Sequence, residues 1–82
     1  MSYKHKIEKH ARKFIISQPS FQQVRIINAI GKLPYAGDIK PVLGQTDVFR
    51  LRVGDFRIIF HVDKPALLVT VYTVGNRGQI YK

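Results

Sequence analysis

The chain has 82 residues, with 14 Lys and Arg against five Asp and Glu and a formal charge of +9, so it is expected to form one domain over residues 1–82, too small for separate catalytic and cofactor domains. With no cysteine, a disulfide framework, a thiolate nucleophile and a thiolate-bound zinc are excluded, and three scattered histidines lack the spacing of a metal site, so neither metal nor cofactor is expected. Ile, Val, Leu and Phe supply 28 of the 82 residues, enough apolar surface for a folded core.

The N-terminus opens no apolar run, and the longest such stretch, residues 66–74, is far short of the roughly 20 residues of a membrane span. A soluble, cytoplasmic chain is expected. Its charge is uneven: residues 1–25 carry +5, residues 26–47 are neutral and residues 48–82 carry +4. Such an excess favours polyanions or an acidic partner and strains the fold by self-repulsion.

In chain order, Tyr3, His5 and Ile7 alternate with Lys4 and Lys6, the pattern of a short strand. Ile7, Ala11, Phe14 and Ile15 then make one apolar helical stripe, with Lys9, Arg12 and Lys13 on the other side. Ser17-Gln18-Pro19-Ser20 interrupts it. Ser20 and Gln23 have the spacing of a capping box opening a second helix, whose expected buried face is Phe21, Val24, Ile26, Ile27 and Ile30. That helix fades at Gly31 and ends before Pro34, which gives an αα-hairpin.

Residues 34–47 contain Pro34, Gly37, Pro41 and Gly44 and read as an irregular crossing from helices to sheet. From Val48 the period is two: Phe49, Leu51 and Val53 alternate with Arg50 and Arg52. Gly54-Asp55 is a hairpin turn, and Phe56, Ile58, Phe60 and Val62 alternate with Arg57, Ile59 and His61. After Asp63-Lys64-Pro65-Ala66 a further strand runs over residues 67–74, and Gly75-Asn76-Arg77-Gly78 breaks it. The expected fold class is α+β: an N-terminal short strand and αα-hairpin packed on a C-terminal antiparallel sheet of three to four strands.

Four of the six arginines lie between residues 50 and 77. Arg50 and Arg52 share one face of a strand, roughly 7 Å apart, and Arg57 on the next strand has the opposite parity to the apolar set. Three guanidiniums on one sheet face repel one another unless an anion lies between them, so the cluster points to phosphate. Arg77 follows in a glycine-flanked segment. Tyr81 comes four residues later, an aromatic suited to stacking on an unpaired base. His61 lies on the arginine face, while His5 and His10 read as surface residues.

These residues resemble the RelE/ParE superfamily of toxin–antitoxin toxins. The similarity is carried by residues 49–60, by Val74-Gly75-Asn76-Arg77 with Ile80-Tyr81, and by Leu33-Pro34 with residues 37–44. The resemblance implies a toxin of the RelE type, a metal-independent mRNA endoribonuclease that enters the ribosomal A site. There a ribose 2′-OH attacks the adjacent phosphate and leaves a 2′,3′-cyclic phosphate and a 5′-OH. By motif position Arg57 would hold the scissile phosphate, Arg77 would neutralise or protonate the leaving oxygen, and Tyr81 would orient the base.

Arg50, Arg52 and His61 would contact RNA. Arg50 and Arg52 stand where relatives carry lysines; a guanidinium does not give up its proton, so the general base is left between Tyr81 and His61. The family further implies a cognate antitoxin with an acidic or amphipathic segment. Two other readings are a ParE-like gyrase inhibitor without catalysis and a nonenzymatic RNA-binding module.

Overall fold

The computed structural model describes residues 2–76. The elements run β1 (Lys4–Ile7), α1 (Lys9–Ile16), α2 (Ser20–Gly31), β2 (Asp38–Pro41), β3 (Val48–Val53), β4 (Phe56–Asp63) and β5 (Leu68–Asn76). The strands form one sheet in the order β1-β5-β4-β3-β2, in which β1 is parallel to β5 and the other pairings are antiparallel. The α+β class is as expected; the sheet is larger and mixed.

The additional pairing comes from both ends of the helical section. β2 lies inside the stretch read as irregular, its four residues paired with β3 from Asp38↔Arg52 to Pro41↔Phe49. Four residues closed by a proline carry too little alternation to be recognised, and it is the backbone of β3 that holds them straight. β5 also runs on to Asn76, through the glycine expected to break it.

Alternation along β3, β4 and β5 separates the faces of the sheet. Leu51, Ile58, Phe60, Val69, Val71 and Val74 are buried together with Ala11 and Ile15 of α1, Ile26 and Ile30 of α2, and Leu33. The Phe14 and Phe56 rings meet edge to face at 6.0 Å, joining α1 to the start of β4. On β1, His5 Nε2 donates to the Leu33 carbonyl at 2.8 Å. That bond ties the edge strand to the end of the helical hairpin, a structural task for a residue read as merely surface.

Two local expectations about α2 fail. Its N-cap is Pro19, without a side-chain cap, and Ser20 is already helical. The Gln23 amide instead donates to the Gln18 and Ile16 carbonyls, which closes the turn between the helices. Ile26 and Ile30 reach the core, whereas Phe21, Val24 and Ile27 are 71%, 58% and 45% exposed. Phe21 and Val24 sit roughly 140–160° around the helix from Ile26 at 100° per residue, so the sheet cannot cover both sides.

Candidate nucleic-acid interface

The face of the sheet away from the helices is built by the strand positions that the core does not use. Arg52 and Arg57 are direct cross-strand partners, Arg50 lies opposite Ile59, and Val48 opposite His61. Arg57 continues the row to Gly75 on β5. Direct partners lie about 4.5–5.5 Å apart, so the arginines expected to share a face do so.

β2 extends this face in a way that its reading as a loop could not anticipate. Asp38 is the partner of Arg52 and Lys40 the partner of Arg50. One row therefore runs Asp38, Arg52, Arg57, Gly75, and the next Lys40, Arg50, Ile59, Thr73. Asp38 supplies a single negative group beside Arg52, which offsets part of the repulsion between Arg52 and Arg57 and leaves the face cationic. On the far edge, Lys6 pairs with Thr70, which in turn pairs with His61.

Arg57 is half-buried, and its Nη1 donates to the Gly54 carbonyl at 3.4 Å and to the Phe56 carbonyl at 3.3 Å. Its guanidinium thus lies against the hairpin turn. The same turn receives Arg25 from α2: a Cβ built on Gly54 would stand 2.6 Å from Arg25 Nη2, and Gly54 itself has φ +57. Only a residue without a side chain allows this close approach in a left-handed conformation. Arg25 gave no signal in the sequence because its neighbours Phe21, Val24 and Ile27 set it among apparent core positions.

His61 shares the open face but lies four residues along β4 from Arg57, about 13 Å at the rise of a strand. Its ring is stacked on that of Tyr72 of β5, with centroids 6.4 Å apart and planes inclined by 26°. Arg77 and Tyr81 lie outside the described residues. Among the described residues, no three His, Asp or Glu side chains are grouped to hold a metal ion, and no helix is long and apolar enough to cross a membrane.

An array of fixed cations of this kind can bind successive phosphates of an extended strand, and can stabilise charge that develops on a phosphate under attack. Arginines alone cannot remove a proton.

A family model described as the ParE toxin of type II toxin–antitoxin systems, parDE, matches residues 3–81. The RelB–RelE antitoxin–toxin complex of Methanococcus jannaschii contains a chain of similar structure, 26% identical, with a TM-score of 0.76 over 93% of this chain and 94% of the other. A RelBE toxin–antitoxin complex of Mycobacterium tuberculosis gives 18% identity and a TM-score of 0.78, covering 94% and 100%. The isolated E. coli RelE toxin gives 17% and 0.77, covering 98% and 92%. No curated protein matches by sequence.

Proposed function

The chain belongs to the ParE toxin family of type II toxin–antitoxin systems, and from that premise and the open arginine face we propose that it is a ribosome-dependent mRNA endoribonuclease that arrests translation in the cytoplasm. The observation that carries this reading is the placement of Arg52 directly opposite Arg57, with Arg50 on the same face. Paired guanidiniums on a sheet face suit a phosphodiester whose non-bridging oxygens gain charge as it reacts.

In the proposed reaction the 2′-OH of the substrate attacks the adjacent phosphorus while the bond to the 5′ oxygen breaks, so that a 2′,3′-cyclic phosphate and a 5′-OH result. Arg57 holds the non-bridging oxygens and stabilises their growing charge, and Arg50 and Arg52 anchor flanking phosphates. Arg77 assists the leaving oxygen and Tyr81 orients the base. The hydroxyl proton goes to the Tyr81 phenolate or to the neutral His61 imidazole, and the leaving 5′ oxygen takes up a proton from water. The nucleophile belongs to the substrate, so the step requires no metal or cofactor.

The partner of such a toxin is an antitoxin, and the helical side of this chain supports one of acidic, amphipathic character. Residues 9–37 contain no Asp or Glu but five Lys and Arg, and they include the exposed stripe of Phe21, Val24 and Ile27. An apolar stripe on a cationic surface suits a helix with an apolar side and acidic flanks.

Primer extension on defined mRNA bound to stalled ribosomes tests the function. Cuts within the A-site codon that fall ~100-fold or more with Arg57→Ala support it. A second reading is the ParE-like one, inhibition of DNA gyrase without catalysis; the matching family model is described as a ParE toxin. Intact mRNA together with loss of supercoiling activity would replace the first reading with the second. Binding of RNA with neither effect would leave a nonenzymatic RNA-binding module.

A further inference from the structure

We infer that Tyr72, backed by the His61 ring, is a stacking platform for one unpaired nucleobase of single-stranded RNA, an inference that rests on the RNA-directed reading above. The platform originates in an irregularity of β5. Ile59 pairs with Thr73 but Phe60 pairs with Val71, so Tyr72 is an extra residue between them. Such a bulge re-aims a side chain that regular pairing would place elsewhere.

The direction in which Tyr72 is aimed follows from its neighbour. Phe60 and Val62, on either side of His61 in sequence, are buried under the helices, so His61 projects to the open face, and the Tyr72 ring lies against it. Tyr72 is 42% exposed. A large aromatic surface is thereby offered to solvent on the cationic face, supported from beneath by a second ring.

Its surroundings match what a single strand presents. Arg57 lies about 13 Å from His61 along β4, and Lys6 lies across the sheet in the row Lys6, Thr70, His61. Cations on two sides can hold phosphates while the ring receives a base. Stacking tolerates any base because every base has a π-face, so the platform adds affinity without sequence preference.

The test uses short single-stranded RNA carrying 2-aminopurine, whose fluorescence falls when it stacks, and a matched oligonucleotide with an abasic site in its place. Tyr72→Ala is expected to abolish the quenching and weaken binding of the base-bearing RNA roughly 5- to 150-fold, the range of one base–aromatic stack. Binding of the abasic RNA should be unaffected and Tyr72→Phe should restore both signals, while thermal melting verifies that each variant is folded. Equal weakening of both RNAs, or no weakening, overturns the platform. If Tyr72→Ala binds like the wild type while mRNA is still cut on ribosomes, the platform alone fails; if the wild-type chain neither binds RNA nor cuts mRNA, the functional reading fails with it.

Discussion

The two faces of the sheet are made from alternate residues of the same strands, yet they do opposite work. On the helix side Leu51, Ile58, Phe60, Val69 and Val71 are almost wholly buried. On the other, Arg50, Arg52, Arg57 and His61 stand in rows at the same spacing. Burial of apolar area stabilises the chain, while crowding of like charge opposes that stability. The contrast teaches that substitutions on the two faces should be separable, one face altering folding and the other altering what the protein does.

The largest effect tests the covered face. Phe60 is fully buried and stacked on Phe49 at 5.7 Å, so Phe60→Ala should cost about 3–5 kcal/mol, a large share of the ~4–12 kcal/mol expected of a chain this size. Urea denaturation followed by circular dichroism measures it. A loss below about 1 kcal/mol would mean that the core can close around the deletion. On the opposite face, Arg57→Ala should leave stability within ~1 kcal/mol while removing most ribosome-dependent cleavage. An Arg57→Ala chain that melts early would show the arginine to be part of the hairpin rather than of the site.

Gly54→Ala acts where the faces meet, at the turn that receives both Arg25 and Arg57. The left-handed backbone there makes a Cβ cost about 1–2 kcal/mol, and Arg25 must move from its position over the turn. Activity falling further than the stability loss explains would mark Arg25 as a part of the site. The smallest effect on folding is expected for Phe21→Ser combined with Val24→Ser: both residues are exposed, so stability should change by no more than ~0.5 kcal/mol per substitution. Capture of an acidic partner helix, followed by calorimetry, should nevertheless be weakened. Unchanged affinity would move the partner to the sheet.

The strands and the hairpin at Gly54-Asp55 were legible because a period of two is a local property, repeated over enough residues to be counted. The same parity places Arg50, Arg52 and Arg57 on one face. β2 was not legible, since four residues ending in Pro41 take their conformation from pairing with β3. Asp38 and Lys40 were consequently missed as neighbours of the arginines. The platform at Tyr72 was hidden for a related reason, because one extra residue in β5 shows only when the register of two strands is compared.

α2 shows the limit most clearly. Periodicity states which residues could form an apolar face, and this helix has apolar residues on more than one side, so the sequence could not say which of them the sheet would cover. What the sequence determined by itself was composition, the change of period from helix to strand, and the parity of each side chain, all set within a few neighbouring residues. Only the tertiary structure decided the parallel placement of β1 beside β5, the choice of Ile26 and Ile30 over Phe21 and Val24, and the meeting of Arg25 with Gly54. Each of these depends on contacts between segments distant in the chain, where burial and register, rather than local preference, set the lowest free energy.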